Sequence, residues 1–171
     1  VYCVQTNGNK LKSVYRSTDG GTTWSMIGQR SNNFDPLCYT NSANSVASNQ
    51  TCQGKYDLLF SVSPHDKDLI CLGGITIWRW TLTQGWEQIT TNSGGVFNPV
   101  YMHADVHDLV FDPINPSVAY VVSDGGISKT SNGGLSWAER NKNYNSYTQF
   151  GLAIGRDRKI LGGGQDNGTV Y

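Results

Sequence analysis

The chain has 171 residues, a net charge of zero from 13 basic and 13 acidic side chains, and only 15% charged residues. That length suits one domain, and neutrality without a basic stripe argues against nucleic acid as a partner. No apolar run approaches the roughly 18 residues a membrane-spanning helix needs.

In chain order the sequence reads as short β-rich runs between Gly, Pro, Asn and Asp clusters, which are strand and hairpin signals. Val1 to Val4, Val14 to Arg16 and Trp24 to Ile27 are the first runs. Between them lies the octet Ser17-Thr18-Asp19-Gly20-Gly21-Thr22-Thr23-Trp24. Asp19 can close an Asx-type turn on nearby amides. Gly20 and Gly21 supply positive φ at no steric cost, and the hydroxyls of Ser17 and Thr23 can add side-chain to backbone bonds. Trp24 then opens the next strand with a large apolar surface to bury.

The next unit runs from Phe60 to Ser63, turns at Pro64 to Lys67, continues over Leu69 to Leu72 and Ile75 to Trp80, and ends at Trp86 to Ile89. A third unit repeats it: Leu109 to Phe111, the turn at Asp112 to Pro116, Val118 to Val122, Ile127 to Thr130, then Trp137 to Glu139. Its last turn is a worn second octet, Thr130-Ser131-Asn132-Gly133-Gly134-Leu135-Ser136-Trp137. Pro64 matches Pro113, Ile77 matches Ile127 and Trp86 matches Trp137, at offsets of 49, 50 and 51. A four-stranded repeat of this period predicts propeller blades.

The predicted fold is therefore all-β, a β-propeller segment of two whole and two partial four-stranded blades. Expected boundaries are a partial blade at 1–28, an insertion loop at 29–56, a blade at 57–90, a connecting segment at 91–106, a blade at 107–140 and a partial blade at 141–171. Two whole blades and two partial ones fall short of the about 4–8 that close a ring. The chain is thus expected to be an excerpt of a larger propeller, or to share a ring with other chains.

Cys38 and Cys52 bracket a polar loop and are expected to form a disulfide, worth roughly 3 kcal/mol. Cys3 and Cys71 fall at the second strand of their blades and are expected to be buried thiols, with an inter-blade bond as the alternative. No Cys-x-x-Cys pair favours zinc. The disulfide and the turn-rich, low-charge composition point outside the cell. Asn49-Gln50-Thr51 and Asn167-Gly168-Thr169 are formal glycosylation sequons.

The octet is the Asp box, or bacterial neuraminidase repeat, carried here by Ser17, Asp19, Gly21, Thr23 and Trp24 and again by Thr130, Asn132, Gly134, Ser136 and Trp137. The chain resembles secreted Asp-box propellers: sialidases, oligoxyloglucan-type glycoside hydrolases and the sortilin-type receptor domain. His103-Ala104-Asp105-Val106-His107, Asp112-Pro113, Asp124-Gly125-Gly126 and the run Gly163 to Thr169 are similar to large secreted bacterial proteins described as glycosyl-hydrolase-like or sortilin-like. The resemblance implies an extracellular propeller with the octets on its periphery. It carries no catalytic residue across.

His103, Asp105 and His107 alternate, so in an extended segment they share one face. The matching positions of the preceding unit are Gly54, Tyr56 and Leu58, so the trio is not part of the repeated scaffold. It offers metal-binding or acid/base chemistry, with Asp105 and His107 as candidate catalytic groups, or else a hydrogen-bonded structural cluster. Asp166, from the next blade, is a possible second carboxylate for Asp105 and a candidate ligand residue with His103. Asp112 and Asp124 read as turn formers. Tyr144 and Tyr147, in the Asn- and Tyr-rich segment up to Phe150, either stack on sugar rings or pack between blades, with Phe150 in the core on the second reading. Arg16 and Arg79 hold one equivalent position, with Lys129 in the third copy, and read as strand-surface residues. Trp78 and Trp80 are expected to face a neighbouring blade. No cofactor is expected, although Asp166-Asn167-Gly168 offers hard oxygen ligands of the kind calcium takes.

The expected function is a non-catalytic extracellular scaffold that binds glycan or protein. The alternative is a secreted glycoside hydrolase whose site is shared with blades outside this sequence.

Overall fold

A computed structural model describes residues 1–30, 34–39, 52–144, 149–157, 159–165 and 168–170. Among them there are fourteen strands and no α-helix. The first sheet is a meander of β1 (Tyr2–Asn7), β2 (Lys10–Arg16) and β3 (Ser25–Gln29). The second comprises β4 (Leu59–Val62), β5 (Leu69–Gly73), β6 (Ile77–Thr81) and β7 (Gly85–Gln88). The third comprises β8 (Val106–Phe111), β9 (Ala119–Ser123), β10 (Gly126–Thr130) and β11 (Ala138–Glu139). The fourth comprises β12 (Gln149–Ile154), β13 (Ile160–Gly164) and β14 (Gly168–Val170). Within these four sheets every strand pairing is antiparallel.

The octets make the turns that the sequence predicts, with one difference of reach. Gly20, Gly21, Gly133 and Gly134 all have positive φ. Asp19 accepts the amide of Thr23, four residues on, at 2.9 Å, and Asn132 does the same for Ser136 at 3.0 Å. Ser17 and Thr130 each accept a glycine amide, Gly21 at 2.8 Å and Gly134 at 2.9 Å. The worn copy therefore keeps these backbone amide bonds with an amide oxygen in place of a carboxylate oxygen, while the side-chain bond reverses: the Thr23 hydroxyl donates to Asp19, but the Asn132 amide donates to the Ser136 hydroxyl.

Two apolar seams hold the first three sheets together. Leu11 and Val14 of the first sheet meet Ile70, Leu72 and Trp80 of the second, with Leu37 beneath. Leu59, Cys71, Ile77 and Ile89 from the second sheet side meet Val106, Leu109, Ala119 and Val121 of the third. The second sheet is thus buried on both faces, which explains why Leu69-Ile70-Cys71-Leu72 is a continuous apolar run rather than an alternating one.

Polar clasps cross the same seams. Arg16 pairs with Asp68 of the next sheet, and Arg79 donates to the Gly133 carbonyl in the second octet at 3.0 Å. These arginines, expected as plain strand-surface residues, reach across to the following sheet. Trp137 Nε1 donates back to the Ile89 carbonyl at 3.3 Å, and the ring of Trp86 lies against Gly28. Trp24 differs: it is 43% exposed and bonds the carbonyl of Gly21 in its own turn. In the other two cases the tryptophan packs on the sheet that precedes its own.

Two further expectations need correction. Cys71 is buried, and burial pushes its thiol pKa up to about 12, but Cys3 is exposed. Phe150, the core alternative, is 76% exposed. It sits at a register shift between Gln149 and Gly151, where the strand's alternation breaks. Leu152 and Ile154 are also exposed, whereas the corresponding Leu109 and Phe111 of β8 face the core. Cys38 and Cys52 form the expected disulfide.

Candidate functional site

The segment before β8 does not run straight, so His103, Asp105 and His107 do not share one face. Asp105 adopts φ 63°, a left-handed conformation unusual for a residue other than glycine. Its carbonyl accepts the amide of Asp124 at 3.1 Å, which ties the entry of β8 to the β9–β10 turn. One residue later the ladder slips, pairing Val106 with Ser123 and Asp108 with Val122. His107 is the extra residue of this bulge, and bulges re-aim side chains.

The three side chains take different partners. Gln53 Nε2 donates to Asp105 Oδ1 at 2.7 Å. His107 Nε2 donates to Asp124 Oδ1 at 2.6 Å, and its Nδ1 lies 3.5 Å from Asp57 Oδ1. His103 Nδ1 lies 3.0 Å from the Ala104 carbonyl oxygen. Asp57 is wholly buried, whereas the His107 side chain is 36% and that of Asp124 17% exposed. The ring of Tyr56, itself 65% exposed, meets His107 edge-on with centroids 5.7 Å apart. The cluster spans the seam: Gln53, Tyr56 and Asp57 come from the approach to β4, and the rest from the third sheet.

The turn behind the cluster is fixed from outside. Asn141 Oδ1 accepts the Ile127 amide and its Nδ2 donates to the Gly125 carbonyl, both at 2.8 Å. Thr90 does half of this one sheet earlier, accepting the Ile77 amide at 2.8 Å. A Cβ on Gly125 would lie 2.4 Å from His103 Cβ, so glycine is the residue that fits there.

Asp124 sits in the β9–β10 turn and is also a partner of His107, because the bulge turns the imidazole onto it. Asp112 does shape its turn, accepting the amides of Ile114 and Asn115, and these bonds hold its carboxyl below the usual range. Asp57, Gln53 and Tyr56 were not singled out from sequence. Asp57 left a signal, since the repeat sets it opposite Val106, and both positions are fully buried. A carboxylate where the scaffold wants an apolar side chain marks a departure from the repeat. Tyr144 is exposed, and Tyr147 and Asp166 lie outside the described residues. Among the described residues no group of three His, Cys, Asp or Glu side chains is arranged to hold a metal ion.

No protein-family model matches the chain, and no curated protein matches it in sequence. Its fold is similar to that of the GH74 enzyme of Niastella koreensis, with a TM-score of 0.52 and 18% identity over 96% of this chain. An ancestral GH74 enzyme aligns with a TM-score of 0.43 and 15% identity over 95% of this chain. The chain spans 24% of the first of these proteins and 21% of the second. At such identity the likeness is one of fold, and it defines the class: an all-β, propeller-like array of antiparallel sheets.

Proposed function

We propose that this chain belongs to an extracellular or cell-surface Asp-box propeller that acts as a non-catalytic scaffold for a glycan or protein ligand. The reading rests mainly on one observation. The candidate catalytic groups are bound into the fold, with Asp105 taken by Gln53 and His107 set between Asp57 and Asp124. Such an arrangement positions side chains and joins two sheets. The octet bonding scheme supports the Asp-box, sortilin-like assignment, and the Cys38–Cys52 disulfide supports an oxidising compartment.

The fold likeness to GH74 enzymes favours a second reading, a secreted glycoside hydrolase with a site shared among further blades. Glycosidases need two carboxyl groups about 5–9.5 Å apart, and Asp105 and Asp166 remain the candidates. A glycan array on the full-length protein, followed by hydrolysis assays on each hit, separates the two. Binding without turnover is the expected result. Turnover that collapses in a folded Asp105→Asn variant would establish the enzyme instead.

A further inference from the structure

The side chains around His107 have a composition that the repeat does not require and that selects among ligands. We infer that the exposed ring of Tyr56 and the imidazole of His107 form a subsite for a neutral pyranose rather than for a carboxylated sugar. The inference rests on the glycan half of the reading above.

Three observations carry it. First, the apolar platform is open: Tyr56 is 65% exposed and held edge-on to His107 rather than folded into the seam. A rigid aromatic ring gives contact area at low entropic cost, and a ring beside a few fixed polar groups is the usual make-up of a small-ligand site. Second, the imidazole is fixed on both sides, by Asp124 at 2.6 Å and by the fully buried Asp57 at 3.5 Å. Third, the local charge is wrong for an anion. Asp57 and Asp124 flank His107, and a sugar carboxylate would enter beside these two carboxylates. Arg16 is engaged by Asp68, Arg79 by Glu87 and the Gly133 carbonyl, and Arg140 by the Glu139 carbonyl. Lys55 precedes Tyr56 and is exposed, but a lone ammonium does not reproduce bidentate recognition of a carboxylate. Sugar hydroxyls, by contrast, can donate to carboxylate oxygens.

The test is a titration of the full-length protein, followed by NMR of the Tyr56 ring and His107 imidazole signals. One set of probes is neutral (gluco-, galacto- and manno-oligosaccharides) and one acidic (oligogalacturonate and sialyllactose). Neutral sugars are expected to bind and shift both signals. Tyr56→Ala should weaken binding roughly tenfold, Tyr56→Phe should keep it, and Phe97→Ala, an exposed aromatic outside the cluster, should leave it unchanged. Neutral binding that moves neither signal overturns this subsite while the scaffold reading stands. Preference for the acidic set overturns the ligand class. If neither set binds, the proposal and the glycan half of the reading fall together, and a protein ligand is left as the scaffold's partner.

Discussion

Single side chains decide the local geometry at both octets and at the His107 cluster. The Thr23 hydroxyl, the Thr23 amide and the Ser17 hydroxyl together hold the Asp19 carboxyl well below its ordinary value of 3.8. A depressed pKa means the turn's contribution is complete above the unfolded value and fades as pH falls below it. Acid titration of stability should therefore be less steep in Asp19→Asn, which copies the second octet, and an unchanged slope would count against this role. At the cluster, Gly125→Ala drives a methyl into His103 and should cost about 1–3 kcal/mol in urea unfolding. The octet tryptophans are expected to split. Trp137→Ala, in a half-buried site that bonds Ile89, should lose about 2–4 kcal/mol. Trp24→Ala should lose less than about 1 kcal/mol, as surface changes do. Equal losses would mean that the two turns have the same surroundings.

The elements show what the sequence could and could not convey. Strand order and turn positions were readable because Pro, Gly and Asp punctuate the chain at a fixed period, and the second octet kept its backbone-amide bonds through Asp-to-Asn and Ser-to-Thr replacements. The bulge was not readable. A period of two predicts a shared face for His103, Asp105 and His107, but Asp105 at φ 63° and the slip after Val106 each break that period. Neither leaves a composition signal, because aspartate is ordinary in turns and histidine in strands. Asp57 was missed for the opposite reason, an unremarkable residue in a remarkable register. Asn141 belongs to the same scale. It opens the Asn- and Tyr-rich segment, and both ends of its amide hold backbone around Gly126. Asn141→Ala leaves a half-buried amide and a half-buried carbonyl unmatched and should cost about 1–2 kcal/mol. Its distinguishing sign is accelerated hydrogen exchange at the Ile127 amide, with the first two sheets unaffected.

Across the whole molecule, stability depends on joining sheets rather than on any one sheet, since an isolated four-stranded meander of this composition has apolar side chains on both faces. The Cys38–Cys52 bond, 14 residues apart, sits beside Leu37 in the first seam. Its reduction is expected to lower stability by roughly 3 kcal/mol, read as a shift in the urea midpoint. A midpoint that does not move would mean the seam holds that segment without the covalent link. The fold likeness to GH74 enzymes belongs to this scale too, because what is shared is the array and not the residues.

The double burial of the second sheet also makes its strands poor ground for neutral drift. In β5 each step along the chain enters a different core, Ile70 and Leu72 toward one neighbour and Leu69 and Cys71 toward the other. A site-saturation library should therefore tolerate changes at every second position of β9, where Tyr120 and Val122 face outward, and at almost none of β5. Among sequences diverging from this one, the second sheet would be the last to become unrecognisable.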